Sequence, residues 1–149
     1  MSTKPTPLES LVRVCFVLYT LTLLIATHWP KLTVKGPIER TDLLVHLAAF
    51  GLWTTLLGLT GWLGFVVCRY RRTLVAAMGG ISFGILDETT QPLFKRVFDW
   101  SDVAADIVGA ILASLLLLVF WTWRDQRDTQ QPPDSDPESM DPPRVDARS

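Results

Sequence analysis

Long apolar runs joined by short polar connections leave this chain few ways to fold. Residues 11–29 carry a single charge, Arg13, near their start. At about 1.5 Å of rise per residue, a helix over this run covers roughly 28 Å, close to the bilayer's hydrocarbon core of about 30 Å. Arg13 lies within one turn of the start, where a long cationic side chain reaches the headgroups. The run ends in "THWPK", which lacks a small-x-small cleavage site, so it reads as an uncleaved span rather than a signal peptide.

The same logic places three further segments. "KLTVKGPIER" is a connection with a Gly-Pro turn signal, and Thr41 is the expected N-cap of the next helix. Residues 43–67 form the second span, carrying Gly51, Gly58, Gly61 and Gly64, and end in "CRYRR". The purely apolar part of the third segment, residues 74–86, reaches only about 20 Å. Extended through "DETTQPLF" to residue 94 it is long enough to cross, with a polar last third; a re-entrant segment is the alternative. Ser101 is the expected N-cap of the fourth span, residues 103–123, and Asp102 in its first turn suits the helix dipole.

The expected fold is an all-α membrane protein: a four-transmembrane-helix bundle over residues 1–123, then a disordered acidic, Pro-rich tail over residues 124–149. From Arg124 onward seven acids face four arginines, and no apolar periodicity is left. That tail lowers the mean hydropathy to +0.26 and masks the membrane signal. The six tryptophans mostly lie toward the ends of apolar runs, as in interfacial aromatic belts. Cys15 and Cys68 have no metal-ligand spacing and read as packing residues. Basic residues are few and sit at span ends, which argues against nucleic-acid binding.

Basic residues also orient the chain. With the N-terminus inside, Lys4, Arg13, Arg69, Arg71, Arg72, Arg124 and Arg127 are cytoplasmic, and Lys31, Lys35, Arg40, Lys95 and Arg96 are outside. The triple arginine has no acid near it in sequence. Both termini are therefore expected in the cytoplasm, in a multi-pass protein of the cytoplasmic membrane.

With four alternating spans, the polar ends of spans two, three and four meet at the outer leaflet. They carry Asp42 and His46, then Asp87, Glu88 and Gln91, then Asp102 and Asp106, with Arg96 in the loop above. Asp42 and His46 are four residues apart on one helix face, as are Asp102 and Asp106. Ala76, Gly80, Gly84 and Glu88 step by four, and Asp102, Asp106, Gly109 and Ala113 share a stripe. Small residues mark close-packed helix faces, so Glu88 and Asp106 are expected to point inward. Ionisable groups at membrane depth are costly and are commonly functional. The plainer reading makes each acid an N-cap or a headgroup-level charge, and it weighs most for Asp42 and Asp102. Asp42 can orient His46 as a base by fixing its tautomer.

The same residues carry a family resemblance. "DLLVHLAAFGLW" resembles the D-x-x-x-H segment that opens the second span of the VanZ-like membrane proteins. "DETTQPLFKRVFDWSDVAADIVGAILA" resembles that family's E-x-x-Q, then Arg, then D-V-x-x-[ND]-x-x-G-A pattern. The likeness covers residues 41–119. It implies a four-span protein of the cytoplasmic membrane and directs attention to Asp42, His46, Glu88, Gln91, Arg96, Asp102 and Asp106. Asp106 stands where the family often has Asn, and "FKR" where many members have a Pro-Gly-Arg turn. The family is named for a protein associated with resistance to the glycopeptide teicoplanin, and its general biochemical activity is not settled.

Three functions fit these residues. The first is a site that binds or processes an envelope lipid headgroup or lipid-linked glycan. His46, Glu88 and Asp106 would then be the catalytic candidates, with Asp42, Asp87, Gln91, Arg96 and Asp102 contacting the substrate. Carboxylates and an imidazole can hold a divalent ion, but no compact ligand motif is present, so no metal or other cofactor is expected. The second is proton or small-solute transport, which the dry inner halves of the spans disfavour. The third is a structural accessory subunit, whose protein partner the sequence does not name.

Overall fold

The computed structural model describes residues 6–29, 40–65 and 69–130. Four helices account for most of them: α1 (Pro7–Thr27), α2 (Thr41–Leu59), α3 (Arg69–Thr90) and α4 (Trp100–Gln130). Short 3-10 turns occupy Trp62–Phe65 and Gln91–Phe94, and no strand occurs among the described residues. Pro7–Thr27, Thr41–Leu59 and Trp100–Arg127 are each long and apolar enough to cross a membrane. The chain is a multi-pass helical membrane protein. The 22 residues of α3 reach about 33 Å as an unbroken helix, but arginines at its start and acids at its end lower its hydropathy.

Capping fixes several helix ends. The sequence Thr6-Pro7-Leu8-Glu9 makes a complete capping box: the Glu9 N–H donates to Thr6 Oγ1 at 3.2 Å, and the Thr6 N–H donates to Glu9 Oε2 at 2.9 Å. α1 therefore starts one turn before the apolar run. The cap of α2 is Arg40, in a left-handed conformation, and Thr41 is already helical. α2 stops at Leu59, well short of residue 67, because Gly61 turns the chain with φ of +72°. Asp99, not Ser101, caps α4: its Oδ1 accepts from the Ser101 N–H at 2.7 Å. α4 runs past Trp123 to Gln130. Cys68 and the tail from residue 131 onward lie outside the described residues.

α1 and α3 end where α2 and α4 begin, so the chain runs up and down. α2, α3 and α4 form the packed centre. A Cβ at Gly51 would lie 3.1 Å from the carbonyl oxygen of Gly109, so α2 and α4 meet backbone to backbone. α3 closes on both through its small face: Thr73, Ala76, Gly80 and Gly84 are buried. α1 lies outside this trio, against an aromatic cluster. Phe16 packs on Trp53, and Trp53 stacks on Phe83 with ring centroids 4.5 Å apart. Two hydrogen bonds hold α1 to α2, Trp53 Nε1–H to Thr20 Oγ1 at 2.9 Å and Tyr19 O–H to the Ala49 carbonyl at 3.0 Å.

Trp53 is thus a core residue, whereas Trp29, Trp62, Trp100 and Trp123 are exposed near the ends of apolar runs. Cys15, read as a packing residue, is exposed on α1. Arg13 turns inward instead of reaching for headgroups: its Nε–H donates to the Thr60 carbonyl at 2.8 Å and finishes the end of α2. Arg69, without an acid near it in sequence, pairs in space with Asp125 of α4. These contacts put the start of α1, the α2–α3 turn and the end of α4 at one end of the bundle. The acids of the other end form the candidate site.

Candidate functional site

The polar end is built from five short pieces: the last turns of α1 and α3, the first turns of α2 and α4, and the 3-10 turn at Gln91–Phe94. Asp87, Glu88, Gln91 and Asp106 are all buried to within about a hundredth of full exposure. Their burial follows from helix period. Glu88 continues the Ala76–Gly80–Gly84 face of α3 that packs on α4. Asp106 lies one turn below Gly109, on the face that α4 turns toward α2 and α3.

Two clusters share this end. In the first, His46 of α2 bridges two carboxylates of α4. Its Nδ1 lies 3.0 Å from Asp106 Oδ1, and its Nε2 lies 3.6 Å from Asp102 Oδ2. A neutral imidazole that donates from Nδ1 to Asp106 keeps its Nε2 lone pair facing Asp102. His46 is therefore oriented across the helix interface by Asp106, rather than by Asp42 on its own helix. Asp42 is exposed at the rim. Glu88 is held in place from above: Gln91 Nε2–H donates to its Oε1 at 2.7 Å, and the Asp99 N–H donates to its Oε2 at 3.3 Å. One ligand atom each from His46, Glu88 and Asp102 falls within 4.8 Å of the others. Asp102 Oδ1 and Asp106 Oδ2 are buried without a hydrogen-bond partner.

The second cluster centres on Asp87 and ties α1 to α3. Thr27 O–H donates to Asp87 Oδ1 at 2.8 Å, and His28 Nδ1 lies 3.7 Å from the same oxygen. His28 Nε2 and Thr90 Oγ1 are 2.9 Å apart. Gln91 links the clusters, because its Nε2–H also reaches Asp87 Oδ2 at 3.3 Å. Asp87 thus serves a helix–helix lock more than the cavity. Thr27, His28, Thr90 and Asp99 were not among the sequence candidates. A signal existed for one of them: His28 is one of only two histidines, at the end of an apolar run that returns to the level of His46.

A cavity of about 240 Å³ opens beside the first cluster. Leu23, Ala26, Val45, Ala49 and Phe50 form its apolar wall, interrupted by Thr27, and Asp42, His46, Arg96 and Asp102 its polar side. Glu88 and Asp106 lie behind His46 and are not part of its lining. Arg96 reaches the cavity because Lys95 adopts a left-handed backbone, φ 63°, and turns the chain after Phe94. A second, apolar depression lined by Thr22, Ile25, Ala26 and Trp29 lies on the outer side of α1 and shares Ala26 with the cavity.

No family model, curated protein or solved structure matches the chain.

Proposed function

We propose that the chain crosses the cytoplasmic membrane four times, with both termini inside, and that its cavity binds the headgroup of an envelope lipid or lipid-linked glycan at the outer leaflet. One observation carries this reading: the cavity is apolar on the α1–α2 side and charged on the α2–α4 side. An amphiphile needs both surfaces, one for the first carbons of its chain and one for its head. Arg96 suits a phosphate, and Asp42 and Asp102 suit hydroxyl or amine donors. Leu93, Phe94 and Val97 of the connection and Trp100 at the start of α4 are exposed beside the cavity, as befits a segment seated in the interface.

We read the site as VanZ-like on the motifs around Asp42, His46, Glu88, Gln91, Arg96, Asp102 and Asp106. The left-handed Lys95 supports this reading, since it occupies the glycine position of the family's Pro-Gly-Arg turn. If the site processes its ligand, His46 is the candidate base, oriented by Asp106, with Glu88 behind it. Teicoplanin susceptibility is the cellular readout this likeness selects.

The test is lipid retention by native mass spectrometry of the full chain, released from nanodiscs of phosphatidylglycerol and phosphatidylethanolamine. The wild type is expected to keep one anionic lipid. Ala26→Phe, which fills the cavity, and Arg96→Gln are expected to lose it while remaining folded. Retention that is equal in all three proteins would refute the cavity as a lipid site. Topology is tested separately by labelling Gly64→Cys and Lys95→Cys in a chain whose native cysteines are serine. The two sites should react from opposite sides of the membrane.

A further inference from the structure

We propose that His46, Glu88 and Asp102 bind a zinc-type divalent transition-metal ion. These residues come from three different helices, α2, α3 and α4, yet offer one ligand atom each within 4.8 Å of one another. Two ligand atoms held about 2.1 Å from a tetrahedral zinc ion are about 3.4 Å apart. His46 Nε2 and Asp102 Oδ2 stand 3.6 Å apart. That separation is too long for a hydrogen bond and short enough for an ion to bridge.

The surroundings are those of a metal-binding imidazole. A ligating histidine normally gives its other ring N–H to a carboxylate, which fixes the tautomer and raises the ligand's basicity. Asp106 Oδ1 does this for His46 at 3.0 Å from Nδ1. Glu88 is likewise held by Gln91 and by the Asp99 N–H, and each of its oxygens keeps a second lone pair.

Two carboxylate oxygens at this end also lack a partner, one on the ligand Asp102 and one on Asp106, which is not itself a ligand. The Asp102 side chain is 12% exposed and its Oδ1 accepts no hydrogen bond; Oδ2 of the fully buried Asp106, beside Gly84 of α3, accepts none either. Buried carboxylates are paired or coordinate a cation. Among the described residues, Arg96 is the one arginine or lysine in the cavity lining, on its polar side with Asp42, His46 and Asp102. One nitrogen and two carboxylate oxygens favour a borderline ion such as zinc over the all-oxygen preference of magnesium or calcium. Three protein ligands leave a coordination position for water or an anionic group.

The inference does not require that the cavity hold a lipid, and its test uses lipid-free detergent. Full-length protein without a polyhistidine tag is stripped with EDTA and titrated with zinc, magnesium and calcium chlorides by calorimetry. Metal content and thermal unfolding are followed in parallel. The expected result is one zinc per chain, an unfolding midpoint that rises with zinc concentration, and weaker binding of magnesium and calcium. His46→Gln and Asp102→Asn should each abolish saturable binding, and Asp106→Asn should weaken it about 10–100-fold. X-ray absorption should report nitrogen and oxygen ligands. Absence of saturable zinc would overturn the proposal. So would unchanged affinity in His46→Gln, equal binding of calcium, or a sulfur-ligand signature from the cysteines. The rise in unfolding midpoint needs only the wild type, so a variant that fails to fold does not shield the proposal.

Discussion

Gly84 of α3 makes the room that Asp106 of α4 occupies. A Cβ at position 84 would lie 2.8 Å from the Cβ of Asp106, closer than real side chains approach. The nearest atom belongs to the root of a buried side chain, so it cannot swing aside; the two helices would have to part. Gly84→Ala gains about 1 kcal/mol of helix propensity, yet overpacking here costs about 1–3 kcal/mol. The expected outcome is a net loss of stability in detergent unfolding, larger for Gly84→Val. The His46 imidazole resonances should also shift in NMR, because Asp106 moves with α4.

His46 and Asp106 should respond unequally to replacement. His46→Ala leaves a fully buried carboxylate with no partner at all, and breaking a buried pair in this way costs about 3–5 kcal/mol. Asp106→Asn keeps an acceptor oxygen for the His46 Nδ1–H and removes the charge, so its cost should stay near 1 kcal/mol. Chemical unfolding of the two variants, side by side, checks the ordering. Equal losses would mean that the pair does not orient His46.

The stripes on α3 and α4 were legible in the sequence because helix period is local. Ala76, Gly80 and Gly84 mark the face that carries Glu88, and Gly109 and Ala113 the face that carries Asp106; all are buried. The partner of His46 was not legible. Asp42 lies four residues before it, whereas Asp106 lies sixty residues after it, on a helix whose approach depends on the backbone contact at Gly51 and Gly109. The lock at Asp87 was hidden for the same reason: it needs α1 docked against α3. Helix ends and apolar-run ends differ where apolarity and helicity part company. "RDQRD" is too polar for lipid but continues α4 without difficulty, while Gly61 ends α2 inside an apolar run.

Thr27→Val tests that lock. The substitution keeps shape and removes the hydroxyl that donates to Asp87 Oδ1. Because Asp87 is buried, the loss should be about 1–3 kcal/mol. It should appear first as loosening of α1, the helix outside the central trio. Amide exchange over residues 20–27 should accelerate, with α2, α3 and α4 little changed. Uniform acceleration would show that α1 is an integral part of the cooperative unit.

Lys95 offers a gain instead of a loss. Its φ of 63° places an L side chain in the left-handed region, at the turn that brings Arg96 to the cavity. Holding a non-glycine residue there costs about 1–3 kcal/mol. Lys95→Gly removes that strain, but glycine's greater freedom in the unfolded chain offsets up to about 1 kcal/mol. The net expectation is a stabilisation of up to about 2 kcal/mol, read as a higher unfolding midpoint. The Arg96 position is unchanged by this substitution, so lipid retention and zinc affinity should both equal those of the wild type. A destabilised Lys95→Gly would show that the ammonium, rather than the backbone conformation, decides what position 95 contributes.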